Sequence, residues 1–225
     1  MVRDGIFYAL GFTAAGVFVS WYTTPYNALP LFILGAFCAW FFRDPDRLIP
    51  AGPVAVSPGD GRVIAVVAEQ HNGKPATRVS IFLNIFDVHV NRSPISGIIT
   101  DFVHQKGKFL VASLEAASSD NEQTIITVRA KDGTQVAFKQ IAGLIARRIV
   151  FTKKQGDFVQ AGERIGMIKF GSRMDVILGP EWYIEVSPGS RVSGGSSILA
   201  RRAGEIELTI AMKAGMKKEP ALCQT

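Results

Sequence analysis

The chain has 225 residues, a net charge of +6 and 48% hydrophobic residues, with a mean hydropathy of +0.21 that is high for a soluble domain. Its two cysteines, Cys38 and Cys223, make no disulfide framework, metal-ligand spacing or redox pair, so a cytosol-facing chain is expected. No zinc-finger or RNP pattern occurs, which sets nucleic-acid modules aside. A basic balance beside an apolar anchor points to an anionic membrane surface.

The apolar excess lies at the start of the chain. Gly5 to Tyr22 is almost free of charge, Thr23–Asn27 is a polar break, and Ala28 to Phe42 is apolar again. Each run makes about 22–27 Å of helix at about 1.5 Å per residue, short for a bilayer core of about 30 Å. The expectation is a membrane anchor over residues 1–48, with helices 5–22 and 28–42 forming a transmembrane or re-entrant hairpin. Arg3 is offset by Asp4 and a second apolar run follows, so a cleaved signal peptide is not expected. Charges flank the pair and none lies in its turn, which places both ends in the cytosol, at the inner membrane of a cell.

Residues 49–200 read as a β-rich domain. Apolar runs at Val54–Ser57, Gly61–Glu69, Thr77–Leu83, Gly97–Phe102, Thr124–Ala130, Thr134–Ile141, Arg164–Phe170, Val176–Ile177 and Trp182–Val186 are split by Gly, Pro, Asn and Asp. Ala112–Glu122 is the least strand-like part, a short helix or a loop. Three stretches share a glycine turn feeding an apolar strand: Val56–Ile64, Lys154–Gly166 and Val186–Gly195. Their recurrence predicts a mainly β fold, a pseudo-repeated sandwich-barrel of the lipoyl or biotinyl kind. Residues 201–225 form a basic tail.

Few residues can carry chemistry. Of three histidines, His71 sits in a polar turn. His89 lies in a polar insertion, where alternation puts Asp87, His89 and Asn91 on one face, either solvated or lining a cleft. His104 stands beside Lys106 and Lys108, placed to reach an anionic group or to occupy a surface turn. No Gly-x-Ser-x-Gly, Walker or His-Glu-x-x-His motif occurs, and no metal site is expected. A carrier module would show a lysine on a hairpin; Met174 has no lysine beside it. Gly194-Gly195-Ser196-Ser197, between Val192 and Ile198, is by itself an ordinary turn.

In order along the chain, Phe42–Pro45, Asp60-Gly61, Phe86–Pro94, Lys106–Phe109, Gln140–Ile149 and Phe170–Val176 resemble the short, prokaryotic type of phosphatidylserine decarboxylase proenzyme, from Phe42 to Ala200. The resemblance implies a pyruvoyl enzyme that cuts its own Gly195–Ser196 bond, with Ser197 as the rival position, into a β chain (1–195) and an α chain (196–225). The pyruvoyl group would come from Ser196. It would take up the amine of phosphatidylserine and act as electron sink for loss of CO2, giving phosphatidylethanolamine. By resemblance Asp60 and His89 are the acid/base pair, Asp60 orienting and His89 moving protons in self-cleavage, decarboxylation or both. The long type carries His-x-x-His in this segment; here the second position is Arg92. Arg92, Arg147, Arg148 and His104 are candidates for the anionic groups of the substrate, and family members commonly associate into homo-oligomers. The competing readings are a membrane-anchored β-barrel carrier and a family member that does not mature.

Overall fold

The computed structural model describes residues 2–144, 148–169 and 171–202. Two helices come first, α1 (Arg3–Tyr22) and α2 (Pro25–Phe41). Long apolar runs form them; Thr23 closes α1 by donating to Val19 O (2.7 Å), and α2 opens inside the expected polar break, at Pro25, where the missing N–H costs nothing. They pack antiparallel through small residues: Gly16 faces the Phe32 ring, and Gly35 faces Ala9 O and Thr13. α1 is long and apolar enough to cross a membrane; α2 has 17 residues and is shorter than that test requires. The outward faces stay bare, with Phe7, Leu10 and Phe18 each 63–64% exposed. Apolar surface on that scale is stable against lipid rather than water.

The rest is mainly β, as expected. The strands are β1 (Val54–Val56), β2 (Gly61–His71), β3 (Lys74–Leu83), β4 (Val90–Arg92), β5 (Gly97–Gln105), β6 (Gln123–Arg129), β7 (Gln135–Ile141), β8 (Ile149–Phe151), β9 (Phe158–Val159), β10 (Arg164–Ile168), β11 (Ser172–Leu178), β12 (Trp182–Ile184), β13 (Arg191–Val192) and β14 (Ile198–Arg202); one short helix, α3 (Ala117–Asp120), falls in the least strand-like stretch. An eight-stranded sheet runs β13-β2-β3-β11-β7-β6-β5-β9, and two three-stranded sheets run β1-β14-β12 and β4-β10-β8. Bulges interrupt the large sheet between Val63 and Ala65 and between Ile99 and Asp101. Each adds twist and bends its strand, so the sheet curls.

Register explains the core. Val79, Val176, Phe138 and Ile126 stand opposite one another across four strands and are all buried. Opposed residues share a face, so these four form one row of the inner wall. The other face is unusual. Ser80 and Asp175 oppose each other there, and Arg173 donates to both. Ser118 of α3 closes over Asp175 (2.5 Å).

Several strands, among them β4, β8 and β14, escaped the periodicity argument. β4 lies inside the polar insertion around His89. β14 takes up Arg201 and Arg202, pairing Arg201 with Val54; the remaining tail, 203–225, lies outside the described residues. The segment from Arg43 to Pro53 has no regular structure, yet it packs closely on the domain.

Candidate active site

The glycine turns at 57–61 and 193–197 lie against each other. Ser57 binds the second turn at two points: its N–H donates to Ser197 O (2.8 Å), and its carbonyl accepts from Gly195 N–H (2.8 Å). The glycines permit this contact. A Cβ on Gly194 would stand 3.1 Å from Gly59 Cα and 3.3 Å from an Asp60 oxygen. Gly195 is buried at φ +80°, where side chains are strained, and a Cβ there would meet Arg92 Cδ and Ile49 Cδ1, each at 3.0 Å.

Asp60 is fixed at this turn. One carboxylate oxygen accepts from Gly194 N–H (2.7 Å) and the other from Arg47 (2.7 Å). Within the turn, Ser193 O accepts from the N–H groups of both Ser196 (3.1 Å) and Ser197 (3.0 Å). The two hydroxyls differ. Ser197 Oγ accepts from Ser193 N–H (2.9 Å), whereas the Ser196 hydroxyl makes no hydrogen bond among the described residues. Ser196 is half-buried.

His89 occupies a different niche. It is fully buried, and its ring lies 4.5 Å from the ring of Phe41 at the end of α2. Nδ1 lies 2.9 Å from Asp87 O and Nε2 lies 3.1 Å from Gly171 N. Gly171 N–H can only donate, so Nε2 accepts and Nδ1 carries the proton. Burial pushes the pKa down to about 4; the Asp87 carbonyl and carboxylate oppose that shift and the Arg43 charge adds to it. His89 is therefore a neutral imidazole of one defined tautomer at neutral pH. No hydrogen bond among the described residues joins it to Asp60 or Ser196. Asp87 and Asn91 are buried with it, so this face lines the interior rather than meeting solvent.

The other candidates scatter. Arg92 lies at the Gly195 turn, but its guanidinium donates to Gly162 O (3.0 Å), Asp44 (2.9 Å) and Pro45 O (3.2 Å). His104 is on exposed β5, within 3.2 Å of Thr124 Oγ1 and 3.7 Å of Glu122. Arg148 is exposed, and Arg147 lies outside the described residues. No group of His, Cys, Asp and Glu able to hold a metal occurs among the described residues.

The family model described as phosphatidylserine decarboxylase matches residues 34–200, a stretch holding both turns, Asp60 and His89. The chain belongs to the phosphatidylserine decarboxylase family. Among its relatives, the phosphatidylserine decarboxylase proenzyme of Solibacter usitatus is 63% identical over 202 residues, covering 90% of this chain and 97% of that one. The proenzyme of Saccharopolyspora erythraea is 49% identical, covering 76% and 75%. That of Syntrophus aciditrophicus is 44% identical, covering 88% and 96%. This decarboxylase thus shares nearly its whole length with relatives named as precursors.

Sequence reasoning missed Arg47, Asp44 and Ile49 at the site. Their partners lie far along the chain: Asp44 meets Arg92, and Ile49 meets Gly162 and Gly195. The one local signal was the charged run Asp44-Pro45-Asp46-Arg47 directly after the anchor, which reads equally well as a membrane flank.

Proposed function

We propose that this decarboxylase is a self-cleaving, pyruvoyl-dependent enzyme that converts phosphatidylserine to phosphatidylethanolamine and CO2. The observation that carries the reading is the contrast inside one turn: the Ser196 hydroxyl is unengaged, that of Ser197 is bonded, and the residue before Ser196 is a buried glycine at positive φ. An unengaged hydroxyl can rotate onto the carbonyl that precedes it.

In the first step Ser196 Oγ attacks the Gly195 carbonyl carbon. The C–N bond breaks, the amide nitrogen takes a proton, and an ester replaces the peptide. A base must accept the hydroxyl proton, because serine is a weak nucleophile otherwise. Asp60, bound to the N–H of Gly194 two residues before Ser196, is assigned to this step. Loss of the Ser196 α-proton then expels the Gly195 carboxylate. Water hydrolyses the resulting dehydroalanine and releases ammonia, leaving a ketone at residue 196.

A residue that is half-buried beside a fixed carboxylate fits both demands on that position, reaction with its neighbour and access for substrate. The ketone, once formed, supplies an electron sink for the carbanion left by CO2. His89 is assigned to proton movement in that later reaction, its Nε2 lone pair being available whenever Gly171 N–H gives way. The helical hairpin keeps the site at the bilayer, where the acyl chains of the substrate remain. Arg3, Arg43 and Arg47 flank the hairpin and favour the cytoplasmic side of the inner membrane.

Intact mass spectrometry of purified protein tests the reading. The expected result is two chains, 1–195 and 196–225, the second lighter than its sequence by one ammonia. Ser196→Ala should remain one inactive chain. An uncut wild type with full decarboxylase activity would sink the proposal.

A further inference from the structure

The segment between anchor and domain lies across the scissile turn. Arg43 starts it: its guanidinium donates to Trp40 O (3.0 Å) and Phe86 O (2.7 Å) and covers the Trp40 ring at 4.3 Å. Asp44 follows, holding Arg92 with one oxygen (2.9 Å) and Arg164 with the other. Pro45 O accepts from Arg92 as well. Arg47 reaches Asp60, and Ile49 packs where a Cβ on Gly162 or Gly195 would stand. A continuous path therefore runs from the end of α2 to Gly194 and Gly195, the two residues before Ser196.

An adjoining cavity of about 480 Å³ is bounded by Asp46, Arg47, Ile49, Arg92 and Arg164, among others. Three arginines could be taken for a phosphate site. Their charge is already met: Arg47 by Asp60, Arg92 by Asp44, and Arg164 by Asp44 and Asp46. These arginines act as clamps in this arrangement.

We propose that the strap Asp44–Ile49 is a working part of the self-cleavage site, with Arg47 positioning Asp60 and Asp44 positioning Arg92 against Gly195. The inference rests on the self-cleavage reading. The Arg47–Asp60 pair keeps 18% and 17% of its side-chain surface in solvent, and partly exposed pairs contribute little to stability. The Asp44–Arg92 pair is buried, at 9% and 7%, and losing one partner there costs the fold as well. A small displacement of reacting groups can cost about 100-fold in rate. Arg47 should therefore matter far more to the rate of maturation than to the fold. Because Arg43 ties the strap to α2, the docked anchor sets its placement.

The test is a time course of cleavage in full-length precursor synthesised in a cell-free system with phospholipid vesicles, read by intact mass. Arg47→Gln and Asp44→Asn should each slow the cut at least about 10-fold, with the thermal midpoint of uncut Arg47→Gln close to that of Ser196→Ala and that of Asp44→Asn lower, because its pair with Arg92 is buried. Arg47→Lys should recover part of the rate. Added guanidinium ion should speed Arg47→Gln and leave Ser196→Ala unchanged. Lys108→Gln, which removes a remote pair with Asp120, should cut at the wild-type rate. Cleavage of both strap variants at the wild-type rate overturns the proposal. So does slow cleavage of Arg47→Gln with a lowered midpoint and no response to guanidinium, since Arg47 would then be holding the fold. A wild type that stays whole overturns the self-cleavage reading itself.

Discussion

The glycine turn at 193–197 and the His89 niche are two halves of one candidate site, and they are built from opposite materials. Around Gly195 the groups are charged and partly exposed: Asp60 and Arg47 keep 17% and 18% of their side-chain surface in solvent. Around His89 the ring is fully buried, Phe41 of the helical hairpin covers it, and backbone groups of Asp87 and Gly171 hold its two nitrogens. The first environment holds a carboxylate in place with an arginine and a backbone N–H. The second strips a histidine of its charge. The difference teaches that the two residues expected to act as one pair sit in separate surroundings, one charged and partly exposed, the other fully buried. No hydrogen bond among the described residues joins them. Two roles, one in maturation and one in turnover, fit the geometry better.

The sharpest way to break this division is to remove each half separately. Asp60→Asn should leave the precursor uncut, or slow cleavage by roughly 10²–10⁴, the range of general acid–base catalysis. His89→Gln should still cut, because no hydrogen bond among the described residues links His89 to the turn. Its decarboxylation rate should fall by a factor in that same range of about 10²–10⁴. Both readouts come from one preparation, mass for the cut and released CO2 for turnover. If His89→Gln stays whole, the two halves act together and the division fails.

A second contrast is with pH. His89 has a pKa near 4 in the folded chain, against 6.5 for an ordinary histidine. The unfolded chain therefore binds the extra proton first. Stability from this group is complete above about pH 6.5, falls as pH drops towards 4, and is level below that. At about 1.36 kcal/mol per pKa unit the loss is roughly 3 kcal/mol. Urea unfolding of Ser196→Ala, alone and with His89→Gln, measures it. The two should converge in acid sensitivity only if the niche is not the cause.

The sequence made some of this legible and not the rest, for physical reasons. Two long apolar runs and repeated glycine turns are local signals, and both the helix pair and the mainly β fold followed from them. Strands of two or three residues, such as β13 at Arg191–Val192, are too short to show a period. The buried pair Arg173 and Asp175, with no exposed surface, defeats the rule that charges face water. Asp60 and His89 came from resemblance to a family; their separate surroundings depend on contacts such as Gly194 with Asp60, 134 positions apart. Arg47 carried no signal of its role, since only its folded partner distinguishes a clamp from a membrane flank.

The smallest effect separates backbone from packing at the cut. Gly195 and Gly156 both have positive φ, +80° and +91°. An added methyl at Gly156 meets nothing within 4 Å, whereas at Gly195 it meets Arg92 and Ile49 at 3.0 Å. The backbone cost for an L-residue in this region is about 1–2 kcal/mol at either position. Gly156→Ala should show that cost as a lowered unfolding midpoint and mature normally. Gly195→Ala should show a similar thermal loss, because the far ends of two side chains can give way. Their movement displaces the clamp, so cleavage should slow several-fold beyond Gly156→Ala. Equal maturation rates in the two variants would mean that the walls of the scissile turn do not guide the reaction, and that its glycine serves conformation alone.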